Sequence, residues 1–216
     1  ARLLNESFHS AFRMMTSEQA RAAFDLTKEK QSVRERYGMN RFGQCCLLAR
    51  RLVENGVRMV TINSFLTVFD QLSWDIHGSK PFTSIDGMKN IVAPMYDQAY
   101  SALITDLADR GMMESTLVVV MSEFGRTPRI NARYGRDHWG KAWSVCLGGG
   151  KIIPGAIIGK TNKNGTAITD REVDHGNMFH TYLQAVGLDS MDSFDIGGRP
   201  MPMADPSKQG IDELIV

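Results

Sequence analysis

The sequence lacks three features that would narrow its class at once: a strong net charge, a cysteine framework and a long apolar run. Its 25 Lys and Arg residues nearly balance its 24 Asp and Glu residues, which leaves a formal net charge of +1. A nucleic-acid or anionic-membrane surface needs a net basic field, so this balance argues against both partners. No apolar run approaches the roughly 20 residues that cross a bilayer, so we expect no transmembrane segment.

Cysteine is scarce as well. Cys45 and Cys46 are adjacent in a helical pattern, and Cys146 lies in an apolar stretch. Three cysteines spaced in this way do not make a disulfide framework, and we expect all three to behave as small core residues. The hydrophobic content of 43% and the charged content of 23% are ordinary for globular proteins. Composition therefore predicts a globular chain and leaves its redox compartment open.

The chain opens inside a helical pattern at Ala1, without an initiator Met, a signal peptide or a first strand. We therefore expect it to be the C-terminal part of a longer protein, with any targeting segment upstream. Its 216 residues are enough for one large domain or two small ones. Our expectation is a single α/β domain over residues 1–216.

Stretches with helical periodicity alternate with short apolar runs along the chain. The periodicity predicts helices within 3–36 and over 41–55, 91–110 and 177–186, and the apolar runs predict strands at 57–62, 117–121 and 142–147. Short strands are expected around Ile152 and Ile157. A valine-rich run such as 117–121 is typical of a strand buried on both faces. This alternation predicts an α/β fold with a mainly parallel sheet flanked by helices.

A long loop, residues 63–90, follows the predicted strand 57–62 and contains the sequence WDIHG. Its Asp75 and His77 are two residues apart, so in an extended segment they project to the same side. A carboxylate and an imidazole together suit a divalent metal of the zinc or manganese kind. In the alternative interpretation, Asp75 caps a turn and His77 fills a hydrogen bond in the loop. For an isolated pair of this spacing the alternative is the more frequent outcome.

A second charged segment, SEFGRTPRINARYGRDHW, follows the predicted strand 117–121. Glu123 offers an oxygen ligand or a general base, and Asp137 with His138 offers a further oxygen and nitrogen. Arg126 and Arg136 could hold an anionic group with two N–H bonds each, which favours a phosphate or sulfate ester. The alternatives are a salt bridge from Glu123 to a neighbouring arginine and a loop that is merely hydrogen-bonded. Because the carboxyl ends of parallel strands share one crevice, we expect both charged segments to converge.

Two other motifs resemble binding sites less closely. Asp174 and His175 look like a metal-binding pair, but they precede a helix, so Asp174 is expected to be its N-cap. His180 lies inside that helix and is expected to be packed. The glycine run 148–150 lacks the Lys and Ser/Thr of a phosphate-binding loop, so we interpret it as a turn.

Four segments, ARRLVENGVRMVTI, WDIHG, LITDLADRGMMESTLVVVMSEFGRTPRIN and GRDHW, resemble the DUF1501 family. These are bacterial proteins of unknown function that are often labelled sulfatase-like, and the resemblance spans nearly the whole chain. The family is grouped by fold with the alkaline phosphatase and sulfatase superfamily, whose members are two-metal hydrolases of phosphate and sulfate esters. The resemblance implies an alkaline-phosphatase-like fold that is incomplete at its N-terminus, and an exported or periplasmic location. It also implies a divalent metal ion (zinc, manganese or calcium) and an anionic small-molecule or glycan ester as substrate.

Residue chemistry and the resemblance together suggest roles for the candidate residues. Asp75, His77 and His138 would bind one metal. Glu123 would serve a second metal or act as a base, and Asp137 would add a metal ligand. The two arginines named above, Arg126 and Arg136, would orient the anion.

The chain departs from the superfamily pattern in three ways. Phe124 stands where a histidine ligand of the second metal is expected, and the spacing in WDIHG is tighter than the usual Asp-x-x-x-His. The nucleophile and the first metal-binding Asp are expected on an upstream strand. These departures support an alternative function: a non-catalytic binding or scaffold protein that keeps the fold without metals.

Overall fold

The structure, a computed structural model, describes residues 2–64 and 72–216, without the side chains of residues 2–5 and 14. It divides into two compact units, Ala1–Leu107 and Ala108–Val216, which are taken in turn.

The first unit is built from helices. They are α1 (Arg2–Thr16), α2 (Glu18–Phe24), α3 (Gln31–Tyr37), α4 (Arg41–Glu54), the single turn α5 (Ile85–Gly87) and α6 (Ala93–Asp109). A 3-10 turn at Leu26–Lys28 precedes α3, and a π-helical turn at Met88–Val92 leads into α6. The helices predicted from periodicity are therefore confirmed to within a few residues at their ends.

Helix α4 forms the centre of the first unit. Asn40 caps its start, because the Asn40 Oδ1 accepts a hydrogen bond from the Gly43 backbone N–H at 2.9 Å. A Cβ at Gly43 would lie only 2.0 Å from the backbone oxygen of Tyr37, so α4 packs against the end of α3 at a distance that only glycine allows. Cys46 and Leu47 lie on the buried face of the helix.

A buried charge network connects α4 with its neighbours. The Arg50 side chain is 0% exposed, and its Nη2 and Nη1 atoms bond Glu29 Oε1 at 2.9 Å and Glu54 Oε2 at 2.6 Å. Its Nε lies 2.8 Å from Asp106 Oδ2 but not in line for a hydrogen bond, so this contact is an ion pair only. The Tyr37 hydroxyl donates to the same Asp106 oxygen at 2.9 Å. Burial and this carboxylate together raise the pKa of Tyr37, so the phenol stays protonated as a donor.

The second unit combines one helix with short β-ladders. The helix is α7 (His175–Ala185), and 3-10 turns occur at Met113–Ser115 and Asp212–Leu214. Among the described residues, the eight strands form four pairs: β1 (Val118–Val120) with β4 (Cys146–Gly148), β2 (Gly125–Arg126) with β3 (His138–Trp139), β5 (Lys160–Thr161) with β6 (Ile168–Asp170), and β7 (Ser193–Ile196) with β8 (Arg199–Pro202).

The expected α/β fold with a mainly parallel sheet is wrong. Every sheet in the described residues has two strands, and each pair is antiparallel. The run 117–121 does form a strand, but β1 is half-buried rather than covered on both faces. Residues 57–62 form no strand, and Met59 is 82% exposed. A β-rich composition favours an extended backbone, whereas the partner and its direction depend on contacts that are distant in sequence.

The start of α7 confirms two expectations. Asp174 Oδ1 accepts from the Asn177 backbone N–H at 3.0 Å, and Asn177 Oδ1 accepts from the Asp174 N–H at 3.1 Å, which makes a capping box. His180 is buried, with its Nδ1 at 2.8 Å from Ser190 Oγ and its Nε2 at 2.9 Å from the Asp205 backbone oxygen. Both residues therefore serve the helix and its packing.

The hairpin of β7 and β8 is exposed along its whole length. Gly197 and Gly198 have φ angles of 61° and 86°, as a two-residue type I′ turn requires. In such a hairpin, the two residues that flank the turn form a hydrogen-bonded pair. From there, non-hydrogen-bonded and hydrogen-bonded pairs alternate along the two strands. Pro200 and Pro202 consequently occupy non-hydrogen-bonded pairs, with their nitrogens directed out of the ladder.

The three cysteines differ in their surroundings. Cys46 is buried as expected, Cys45 is half-buried, and all three are free thiols. Burial, together with the neighbouring Cys45, raises the pKa of Cys46 to about 12. The expectation of a core position is wrong for Cys146, which is exposed on β4.

Candidate functional site

The WDIHG loop of the first unit is closed around one buried threonine. Thr83 accepts a hydrogen bond from the Ser73 backbone N–H at its Oγ1, at 2.8 Å, and its own N–H donates to the Asp75 backbone oxygen at 2.9 Å. The Gly78 N–H in turn donates to the Thr83 backbone oxygen at 3.1 Å. Because Thr83 has no exposed surface, these bonds are shielded from water and fix the loop between residues 73 and 83.

The loop brings the predicted acid and imidazole together. The Asp75 Oδ1 contacts the His77 Nδ1, so both side chains lie on the same side of the chain, as their spacing indicated. Asp75 is buried and His77 is half-buried. The imidazole also lies against the Phe82 ring, with 5.1 Å between ring centroids. An oxygen and a nitrogen donor are therefore held side by side in a partly covered position.

The second charged segment forms the β2–β3 hairpin and its loop, residues 127–137. The Thr127 N–H donates to the Asp137 backbone oxygen at 3.0 Å, and the Asp137 N–H donates to Thr127 Oγ1 at 3.1 Å. The Asp137 carboxylate accepts a hydrogen bond from Asn131 Nδ2 at 2.9 Å. A Cβ at Gly125 would lie 2.5 Å from the Ala142 backbone oxygen, so this strand also needs glycine. Side chains inside the loop and at its base therefore set its shape.

Both candidate arginines contact this loop. Arg136 Nη1 donates to the backbone oxygens of Thr127 and Pro128, each at 2.6 Å. Arg126 Nη1 donates to the backbone oxygen of Arg136 at 3.2 Å. Each guanidinium thus uses one nitrogen to hold the loop, and the role of the two arginines in orienting an anion stays a prediction.

Glu123 and His138 lie at the two ends of the hairpin segment, and both are exposed. The Phe124 ring stacks on the His138 imidazole, with 4.0 Å between centroids and 27° between planes. The Arg126 guanidinium carbon lies 5.8 Å from the centroid of the same phenyl ring. The apolar ring that replaces an expected nitrogen ligand therefore covers one face of the imidazole beside it.

The metal assignment can be compared with these positions. Within residues 2–64 and 72–216, no group of three or more His, Cys, Asp or Glu is placed to hold a metal ion. Asp75 and His77 form a pair of donors in the first unit. The expected sharing of one metal with His138 links residues of two units that are described separately, so it stays a prediction. The metal roles of Glu123 and Asp137 also stay predictions.

Residues 1–215 match the family described as "Protein of unknown function (DUF1501)". The chain belongs to the DUF1501 family. Comparisons with curated proteins and with solved structures find no match. Among its described residues, no helix of this DUF1501 chain has the length and apolarity to span a bilayer.

The DUF1501 chain also has a pocket that the sequence analysis missed. We call it the Trp139 pocket; it has a volume of about 380 Å³ and is lined by Thr127, Pro128, Arg129, Trp139, Asn164 and Thr166. The turn between β5 and β6 supplies two of these residues, and a Cβ at Gly165 would lie 3.4 Å from the Pro128 ring. An Asn-Gly pair at 164–165 is a hairpin signal, so the turn could have been found in the sequence. The position of this turn beside the 127–137 loop could not have been found in the sequence.

Proposed function

We propose that this DUF1501 protein is a metal-dependent hydrolase of phosphate or sulfate esters in which Asp75 and His77 are metal ligands. The observation that carries the proposal is the contact between the Asp75 carboxylate and the His77 imidazole on the loop closed by Thr83. A carboxylate and an imidazole are suitable donors for zinc or manganese. The sulfatase-like resemblance supplies the reaction class.

The burial of the pair supports this assignment. Asp75 is only 9% exposed, so its contact with the imidazole is largely shielded from water, and electrostatic interactions are stronger there. His77 is half-buried and lies between that carboxylate and the Phe82 ring, which restricts the orientation of the imidazole. The pair would provide two ligands, and water or further side chains would complete the set. When bound, a divalent ion would neutralise charge that develops on the ester oxygens.

Glu123, Arg126 and Arg136 of the second unit have the side chains of a general base and of anion-binding groups. The Glu123 carboxylate, exposed directly before the β2–β3 hairpin, would act as a general base. The guanidinium groups of Arg126 and Arg136, which donate to backbone oxygens of the 127–137 loop segment, would bind an anion.

The test is hydrolysis of 4-nitrophenyl phosphate and 4-nitrophenyl sulfate by the purified full-length protein with zinc, manganese or calcium. We expect turnover that needs an added ion and falls about 100-fold or more in Asp75→Asn and in His77→Ala, since loss of a metal removes several kcal/mol of charge stabilisation. His175→Ala, a change of an exposed histidine on α7, is the matched control and should leave the rate unchanged. The proposal fails if no ion supports turnover, or if both loop substitutions leave the rate intact.

One observation favours a second function, a non-catalytic binding or scaffold protein. Phe124 presents an apolar ring where a ligand of a second metal is expected, and this ring stacks on His138. Such a protein would show no turnover with any divalent ion. Titration with a divalent metal, followed by calorimetry, would distinguish the two functions. A scaffold protein would give the same heat of binding for wild type and His77→Ala, whereas the hydrolase would lose metal binding in His77→Ala.

A further inference from the structure

We propose that the Trp139 pocket binds a sugar ring that carries an anionic group. The 127–137 loop, which Arg126 and Arg136 contact, contributes part of the pocket, and the lining combines one aromatic side chain, one cation and several uncharged polar groups. The proposal that the pocket binds such a ligand depends only on these lining residues. The further step, that such a sugar is the alcohol part of the ester substrate, rests on the proposed function.

The size of the pocket suits a single sugar unit. Its volume of about 380 Å³ is at the lower end of the range for small-molecule sites, about 300–1,000 Å³. Its lining contains no Asp or Glu, so nothing on its walls repels an anion. A site of this size with one cation in its lining fits a small ligand with one anionic substituent.

The apolar part of the pocket consists of Trp139 and Pro128. One face of a sugar ring is lined by C–H groups, which pack favourably against the negative face of an aromatic ring. The Lys141 ammonium lies 5.4 Å from the centroid of the Trp139 ring, a cation–π contact that helps to hold the indole. The Trp139 Nε1 is buried without an acceptor in the described residues, so packing rather than a hydrogen bond fixes this ring.

The polar part of the pocket consists mainly of donors. Arg129 is exposed and lines the pocket, and a planar guanidinium can bind a carboxylate, phosphate or sulfate group with two parallel hydrogen bonds. The Asn164 amide can donate to and accept from sugar hydroxyls. The Thr166 hydroxyl accepts a hydrogen bond from Asn162 Nδ2 at 2.8 Å, so its own hydrogen is what it offers to a ligand.

The walls are fixed before a ligand arrives. Thr127 Oγ1 donates to the Arg129 backbone oxygen at 2.9 Å, which holds the first wall. In the second wall, Asn162 Oδ1 accepts from the Thr166 N–H at 2.9 Å, and the Asn162 N–H donates to the Ala167 backbone oxygen at 2.9 Å. Less ordering is then needed on binding, so even a few polar contacts can give measurable affinity.

The test is isothermal titration calorimetry of the intact chain, without added metal, using four probes: glucose 6-phosphate, glucose 6-sulfate, glucose and inorganic sulfate. We expect the two anionic sugars to bind most tightly. Arg129→Gln should weaken both about tenfold or more, toward the affinity for glucose, because a hydrogen bond to a charged group is lost. Asn164→Ala should weaken all three sugars. Arg133→Gln, a matched charge removal at an exposed loop position outside the pocket, should change nothing.

Three results would overturn the proposal. One is the absence of saturable binding by any sugar, and another is equal affinity for inorganic sulfate and glucose 6-sulfate, which would mean that only the anion is recognised. The third is an equal effect of Arg129→Gln and Arg133→Gln, which would indicate attraction by net charge. Trp139→Phe keeps a ring and should retain most of the affinity, whereas Trp139→Ala should lose it if the variant folds.

A parallel hydrolysis assay separates this proposal from the proposed function. Sugar binding that depends on Arg129, without turnover by any ion, would leave the pocket assigned and the hydrolase rejected. Metal-dependent turnover of the 4-nitrophenyl esters without sugar binding would reject the pocket and leave the hydrolase standing.

Discussion

Replacing Arg50 by methionine should destabilise the first unit by about 3–5 kcal/mol, the usual cost of removing one partner from a buried ion pair. The guanidinium is fully covered and contacts three carboxylates. Methionine fills a similar volume but provides no charge. Glu54 is 39% exposed on its side chain and can turn to water, and Glu29 keeps the contact with Arg51. Asp106, only 7% exposed, loses its contact with the Arg50 guanidinium and keeps the hydrogen bond from Tyr37, so we expect most of the penalty at this residue.

Helix content followed in urea should show the unfolding midpoint of Arg50→Met falling by about 1.5–5 M, given a slope of about 1–2 kcal/mol per M for a unit of this size. Arg41→Met, an exposed change on the same helix, should stay within about 0.5 kcal/mol of wild type. Adding Asp106→Asn to Arg50→Met should recover about 1–3 kcal/mol, because the buried negative charge that faced the guanidinium is removed.

A loss of less than about 1 kcal/mol in the free energy of unfolding of Arg50→Met would refute this prediction, because breaking a buried ion pair costs more than that. The prediction would also be refuted if the second substitution recovered nothing. In that case the cost would come from packing of the arginine stem rather than from its charge.

Three further predictions follow from local geometry. Gly43→Ala should lower the melting temperature, although alanine has the better helix propensity, because its Cβ would lie 2.0 Å from a backbone oxygen of α3. The control Gly140→Ala should leave the melting temperature unchanged, since a Cβ there meets nothing within 4 Å. The hydrogen bond from Arg171 lowers the pKa of Glu213 from 4.5 to about 2. The stabilisation from this pair is therefore complete above about pH 4.5 and is lost as the pH falls toward 2, and an NMR titration should show the Glu213 pKa returning toward 4.5 in Arg171→Gln. At pH 8, iodoacetamide followed by mass spectrometry should modify the exposed cysteine of β4 and spare Cys46, whose pKa is raised to about 12.

The helices could be predicted from the sequence because their signals are local. Asn40 before α4 and Asp174 before α7 are side chains that cap the following turn, and both do so in the structure. The apolar spacing between such caps then sets each helix. These signals act within a few residues, so no knowledge of the rest of the fold is needed.

The sheet could not be predicted in the same way. The valines of β1 favour an extended strand wherever it pairs, but its partner β4 lies more than 20 residues further along the chain and runs antiparallel. The βαβ interpretation assumed that strands separated by a helix pair in parallel. The second unit instead forms small ladders whose partners are set by turns and by tertiary packing, and neither has a strong signature in one sequence.

The candidate site was predictable only where it is local. The meeting of Asp75 and His77 follows from the two-residue period of an extended chain. The contacts of Arg126 and Arg136 with backbone oxygens depend on the shape of the 127–137 loop, which their sequence pattern does not contain. The Trp139 pocket needs two separate turns to meet, so it became visible only in three dimensions.

The two prolines of β8 limit how copies of this protein can join through strand edges. At Pro200 and Pro202 the outer edge of the hairpin has no N–H to donate, so an incoming strand could not form a ladder there. On the outer edge of β7, the Ser193 N–H donates to Asp192 Oδ1, and the Asp195 N–H faces outward between the exposed Phe194 and Ile196. If two hairpins paired through β7, both remaining edges would be β8, and growth would stop at two copies. Edge-to-edge growth through this hairpin is therefore limited to a single pairing.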